Sequence, residues 1–165
     1  MVKRVSMKGA ECPIARALDA VGDWWSLLII RDAFDGIRRF SEFQANLGIA
    51  KGMLAARLRD LVNLGVLELA PASDGTAYQE YILTKKGHDL FHVVVALRQW
   101  GEDHLYERGE RRSVLIDNEN RQPVGRLELR SQTGRVLRWA DATVSKLPPK
   151  LIRVSGRSAS QRERR

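Results

Sequence analysis

Apolar residues in the first hundred positions recur mostly at helical spacing, and breaks in that rhythm divide the chain into elements. Pro13 suits the first turn of a helix, where its missing N–H would be unpaired anyway. Ile14, Ala17, Leu18 and Val21 follow at helical intervals. Gly22 ends that helix and Asp23 can cap the next, "DWWSLLIIRDAF", which is apolar on most sides and so belongs at the centre of a core. Ser41 with Gln44 three residues on forms a capping-box pattern, so a helix is predicted to open at Ser41, with Phe40 stapling the approach and Gly48 breaking the run. From Ala50 another helix places Leu54, Leu58, Leu61 and Val62 on its inner side, and Gly65 is suited to end it. "VLELA" and "YQEYILT" alternate as strands, joined by a polar loop containing Asp74-Gly75, a hairpin signal.

Thr84 then caps a predicted long helix, roughly 85–105, that is apolar on two sides. Such a helix at the end of a small domain needs a second surface to bury against, and a symmetric partner is the economical answer. A homodimer is therefore expected, with Ile14, Leu18, Phe91, Val94, Val95, Leu97 and Trp100 at its interface. After Tyr106 the pattern changes to three expected short strands, with turns at Asn118-Glu119-Asn120 and Thr133-Gly134. The expected organisation is a flexible arm at 1–11, a helical domain with a hairpin at 12–106, a β-rich extension at 107–149 and a disordered basic tail at 150–165.

Helix, turn, helix and then hairpin is the order of a winged helix-turn-helix, so the fold class is mainly α with a small β-hairpin. In such folds the second helix enters the major groove of double-stranded DNA and the hairpin approaches the flanking backbone. With the leucines inward, Lys51, Gly52, Ala55, Ala56 and Arg59 fall near the opposite face. Small residues permit close approach to base edges, alanine can touch a thymine methyl, and the cations can reach phosphate or guanine. Arg38, Arg39 and Ser41, beside a helix N-terminus, suit a phosphate.

Charge sharpens this picture locally rather than globally. The 165 residues carry a net charge of +8, yet residues 1–106 hold 13 basic and 13 acidic side chains, and the whole excess lies in 107–165. From Gly36 to Arg59, however, five cations (Arg38, Arg39, Lys51, Arg57, Arg59) face one acid, Glu42. No apolar run approaches the roughly 20 residues that span a bilayer, and "MVKRVSMKGAE" has no apolar core of a secretory signal, so a cytoplasmic protein without membrane contact is expected. A single cysteine excludes an internal disulfide framework and a multi-cysteine zinc site.

The stretch "CPIARALDAVGDWWSLLIIRDAFDGIRRFSEFQANLGIAKGMLAARLRDLVNLGVL", with "YQEYILTKKGHDLF" and "LRQWGEDH" after it, resembles the HxlR family of bacterial transcriptional regulators, related in form to the MarR group. The resemblance covers about residues 11–105. It implies a homodimer built on the first and last helices and binding to a short inverted repeat near a promoter. Many relatives carry polar residues where this chain has Ala50, Lys51, Gly52, Ala55 and Ala56, which implies sparse hydrogen-bonded base reading and more contact with methyls and DNA shape. Many also have a wing arginine where this chain has Tyr78. From Pro71 to Gln79 there is no basic residue and one acid, Asp74, so the wing is expected to contribute little electrostatically unless Tyr78 or Gln79 bonds a phosphate.

Cys12 precedes a helix N-terminus, whose partial positive charge favours a thiolate. Some relatives sense electrophiles or oxidants through a cysteine at the matching position, which carries redox sensing onto Cys12. The alternatives are a small buried cysteine without a sensing role, a small-molecule inducer held at the dimer interface, or a non-sensory architectural nucleic-acid-binding protein. His88 and His92 stand four apart on one helix but lack the third ligand that zinc needs, so no metal or other cofactor is expected. No phosphate loop, dinucleotide fingerprint or nucleophile elbow is present, and an enzyme is not expected.

Overall fold

The structure, a computed structural model, describes residues 6–145. The chain forms α1 (Pro13–Val21), α2 (Trp24–Phe34), α3 (Phe40–Leu47), α4 (Lys51–Asn63), β1 (Leu67–Pro71), β2 (Gln79–Leu83), α5 (Lys85–His88) and α6 (Phe91–His104). A 3-10 turn, Trp139–Asp141, follows. The expected basic tail at 150–165 lies outside the described residues.

The core gathers where the apolar pattern places it. Ile29 and Ile30 of α2, Phe43 of α3, and Leu54, Leu58 and Leu61 of α4 are fully buried, closed off by Ile49, Val66 and Leu67. Burying each of these large side chains is worth roughly 1.5–3 kcal/mol. Asp23 caps α2 by accepting the Ser26 N–H at 3.1 Å. Asp32 is buried on the same helix and bound by the Arg31 guanidinium at 2.6 Å and the Asn46 amide at 2.9 Å, which ties α2 to α3. The turn into α4 needs Gly48, whose φ of 61° few side chains tolerate.

The cap of α3 lies two residues earlier than the capping-box pattern suggested. Arg39 takes the extended cap conformation, and Glu42 rather than Gln44 reaches back, accepting the backbone N–H groups of Arg38 (3.2 Å) and Arg39 (3.0 Å). Ser41 therefore sits exposed inside the first turn.

β1 and β2 pair antiparallel, with Leu67 opposite Leu83 and Pro71 opposite Gln79. On the far side of β2, the Tyr81 N–H donates to the Arg38 carbonyl at 2.8 Å, so β2 lies between β1 and the segment that leads into α3. Since Tyr81 points its N–H away from β1, its partner Leu69 points outward too, and so does Pro71 two residues on.

The single long helix expected over 85–105 is divided into α5 and α6. Thr84 caps α5 as anticipated, accepting the Gly87 N–H at 3.1 Å and donating to the Gly65 carbonyl at 2.6 Å. Gly87 is pressed so closely onto the residue before β1 that a Cβ there would lie 2.3 Å from the Val66 carbonyl oxygen. The Leu90 N–H then bonds the Gly87 carbonyl, a tighter turn that re-aims the chain so that Phe91 meets Phe34 edge-on at 5.1 Å. The pinned first turn is the reason the helix does not run straight.

Residues 107–145 hold less sheet than expected. Among the described residues there, the three short strands reduce to two isolated antiparallel bridges, Ile116 with Pro123 and Arg130 with Val136. The expected turns are present at 118–120 and 132–134, but neither hairpin has a third strand or a broad apolar face to extend it. The chain divides into two compact units between Leu127 and Glu128 rather than after Tyr106. Polar side chains of α6 explain the position of the break. Gln99 brackets the Gly125 carbonyl and the Leu127 N–H, both at 3.0 Å, while Arg98 holds Ser113. These bonds fasten 107–127 to the first unit.

Candidate nucleic-acid interface

α4 presents two opposite sides. Its leucines face the core, while Lys51, Gly52, Met53 and Arg59 are exposed and Ala55 and Ala56 half-exposed on the outer surface. No side chain caps its N-terminus, so the first backbone N–H groups remain available beside Lys51. Small side chains flanked by cations, at the end of a helix carrying free donors, form a surface suited to a polyanion with relief on it.

Arg57 leaves this surface. Its Nε lies 3.2 Å from Asp23 on α2 and its Nη1 3.2 Å from Asp60, so its guanidinium runs along the flank of α4 toward the protein. That Nε is buried and makes no directed hydrogen bond. Sequence spacing alone groups Arg57 with Arg59; the structure separates them, because 200° of helix turn over two residues places one on the flank and the other outward.

Arg38 and Arg39 are also engaged. Arg39 donates to Asp74 of the hairpin loop at 2.5 Å and approaches Glu80 of β2 at 3.4 Å, while Arg38 lies 3.7 Å from Glu80. Ser73 completes the cluster with a hydroxyl bond to Glu80 at 3.2 Å. A latch of opposite charges thus holds the hairpin loop against the N-terminus of α3. The wing acid that weakens this loop as a phosphate ligand is what fastens it. Glu80 and the pairing of Asp74 with Arg39 were missed by a reading aimed at cations; an acid on a wing opposite two arginines is the signal that could have found them. Tyr78 stands exposed on the same loop, and its carbonyl accepts the Ala72 N–H.

The latch has a defined pH dependence. The Arg39 guanidinium, then the Thr76 hydroxyl and N–H, hold the Asp74 carboxyl well below its ordinary 3.8. The backbone N–H groups of Arg39 and Arg38 lower Glu42 from 4.5. Lowered folded values mean that both contributions are fully present above about pH 4.5 and are lost as pH falls below it toward the depressed values. Backbone amide shifts of Arg39, Asp74 and Thr76 should therefore stay constant at neutral pH and move together only in acid. In Asp74→Asn that shared transition should be absent; its persistence would exclude Asp74 as the group responsible.

The apolar residues expected at a dimer interface separate into two sets. Ile14 and Leu18 of α1, with Leu97 and Trp100 of α6, are exposed, and Trp100 keeps 57% of its surface. Val95 is buried at 4% and Val94 packs against the same core, so these two positions serve the protomer's own interior. They lie on the inner side of α6. Phe91 stands between the sets, partly exposed and in contact with Phe34. α1 buries only Val21 of its nine residues. Cys12 precedes this helix and is exposed, which removes the reading of it as a small buried residue.

Among the described residues, no group of three or more His, Cys, Asp or Glu side chains is placed to hold a metal, and no helix is long and apolar enough to cross a membrane.

The family model for an HxlR-like helix-turn-helix matches residues 20–109. An uncharacterised helix-turn-helix transcriptional regulator of Mycobacterium tuberculosis is 48% identical over 92 residues, which is 56% of this chain and 58% of the relative's length. The crystal structure of PA1607, described as a candidate transcription factor, is 51% identical, superposes with a TM-score of 0.81 and covers 86% of this chain and 99% of that one. The redox regulator HypR in its oxidised form is 31% identical, with a TM-score of 0.51, over 56% of this chain and 97% of its own.

Proposed function

This chain belongs to the HxlR-like helix-turn-helix family, and from that premise we propose that it is a DNA-binding transcriptional regulator, a repressor that acts as a homodimer on an inverted-repeat operator. The observation that carries the reading is the two-sidedness of α4: three leucines without exposure on one side, Lys51, Gly52, Ala55, Ala56 and Arg59 on the other. Lys51 and Arg59 supply the phosphate and guanine contacts, and the alanines lie close to base edges and thymine methyls. Arg38, Arg39 and Ser41 flank the same groove at the start of α3, with the latch setting how far the two arginines reach. Tyr78 serves the wing, and Arg57 acts indirectly by holding α4 to α2.

The dimer reading rests on α1 and α6. A nine-residue helix that buries one side chain has little to hold it in place on an isolated protomer. A second copy against Ile14, Leu18, Leu97 and Trp100 supplies the missing surface, and two reading helices then meet half-sites about one helical turn apart.

The test is competition between DNA upstream of the protein's own gene and random DNA. A specific regulator should prefer one site by ~10³ or more, whereas an architectural protein would show little preference. Arg59→Ala should weaken operator binding by about 1–3 kcal/mol and relax the base preference at one position of each half-site. Unchanged affinity removes Arg59 from the contact set.

Cys12 is the proposed sensor. It is exposed, immediately precedes α1, and adjoins the α1 surface assigned to the dimer. HypR, similar to 56% of this chain, is a redox regulator by name. Diamide or a quinone should release wild-type protein from its operator and leave Cys12→Ser bound; equal release of both proteins would dismiss the thiol as sensor.

A further inference from the structure

α1 has a second, polar side. Where Ile14 and Leu18 point outward, Arg16, Asp19 and Ala20 face the other way, over a gap that separates α1 from the flank of α4. The gap has a volume of about 530 Å³ and is lined also by Lys8, Asp23, Ser26, Arg57, Asp60, Asn63 and Leu64. That is within the size range of small-molecule sites, which lie roughly between 300 and 1,000 Å³.

The charges in the gap are unevenly satisfied. Its carboxylates are occupied: Asp23 takes the Ser26 N–H and hydroxyl and pairs with Arg57, Asp60 pairs with the other side of Arg57, and Asp19 accepts the Ser6 hydroxyl at 2.9 Å. Two of its cations pair with no carboxylate among the described residues, and the third, Arg57, is incompletely bonded. Among the described residues, Lys8 pairs with no carboxylate, and Arg16 uses its Nε on the Ala10 carbonyl. Arg57 sits at 3.2 Å from Asp23 yet leaves its buried Nε without a directed bond. Ala20 and Leu64 supply apolar wall on either side. A guest that completes this set carries negative charge at one end and apolar surface at the other.

We propose that the gap between α1 and α4 is an effector site for a small organic anion, with Lys8 and Arg16 binding its carboxylate and Arg57 relaying its presence to the reading helix. This rests on the DNA-binding reading only for its last step. Arg57 fixes α4 to the cap of α2 through Asp23 and stands two residues from Arg59. An anion in the gap draws the guanidinium off Asp23 and Asp60. α4 then loses its lateral tie, and the operator complex weakens.

Benzoate, benzamide and benzylamine share one ring and differ in charge, so they test the site with the full chain. Benzoate should raise the melting temperature and shift the amide signals of Arg16, Asp23 and Arg57, while the neutral and cationic analogues should not. Lys8→Ala combined with Arg16→Ala, both on the surface and away from the reading face, should abolish the benzoate response. Benzoate should also lower operator affinity of wild-type protein about fivefold or more. An equal response to all three compounds, no response, or a response that survives in the double variant would overturn the site. Benzoate binding with unchanged operator affinity would overturn the relay. Charge-selective binding by a protein that prefers no DNA would uphold the site and sink the regulatory reading instead.

Discussion

Leu97→Glu should convert the proposed dimer to a monomer and cost it about 10² or more in operator affinity. Leu97 is exposed on α6 in line with Trp100, so a charge there disturbs little inside the protomer. Across a two-fold seam the same carboxylate would be buried opposite apolar surface and close to its own copy. Burying an unpaired charge costs several kcal/mol, enough to separate the chains at micromolar concentration. Each reading helix would then bind its half-site alone, without the effective concentration that a linked partner provides. Sedimentation or light scattering reports the mass, and a gel shift on the palindromic operator reports the affinity. A variant that stays dimeric would place the seam elsewhere than on α6.

The second large effect is on stability. Leu58→Ala should lower the unfolding free energy by about 2–5 kcal/mol. Leu58 is fully buried between Leu54 and Leu61, where α4 meets the core residues of α2 and α3. Truncation there removes transfer energy and leaves a void that helices anchored by Phe43 and Ile29 cannot fill. Domains of this size are stable by roughly 5–15 kcal/mol, so the loss is a large share of the total. Urea denaturation should show a lower midpoint with an unchanged slope. Ala55→Ser, on the outer side of the same helix, should shift the midpoint by far less. Comparable losses at both positions would mean that α4 does not turn its leucines inward, and the assignment of its reading face would fall with them.

Much of the fold is legible in the sequence because local and distant preferences agree there. Gly48 and Gly65 mark the ends of α3 and α4, the spacing of Leu54, Leu58 and Leu61 selects the inner face, and Thr84 caps the helix it precedes. Legibility fails where a tertiary contact decides. Nothing in "TKKGHDLFHV" announces that Gly87 will be pressed onto the Val66 carbonyl and divide the helix. Val94 and Val95 have the same character as Leu97; only the direction of α6 over the core tells them apart. The extension shows the same limit: its alternation is that of strands, but with no third strand or broad apolar face to extend the hairpins only isolated bridges form.

The candidate interface divides along the same line. Which residues crowd the outer face of α4 follows from helix geometry and can be read from spacing. Which arginines are free cannot, because that depends on acids far away in sequence. Arg57 is claimed by Asp23, and Arg39 by Asp74, 35 positions distant. Charge counting over a window sees five cations from Gly36 to Arg59; the folded chain leaves Lys51 and Arg59 as those without an acidic partner among the described residues.

Pro71 gives the hairpin a property that matters wherever copies of the protein are crowded together. β2 is covered on both sides, so β1 is the open margin of the sheet, and an open margin is a template on which a strand of another molecule can grow. The margin is five residues long, and at its outer end the ring of Pro71 stands where a donor would project. With Leu67 and Leu69 as its remaining outward donors, β1 offers too short a ladder to nucleate fibrous self-association.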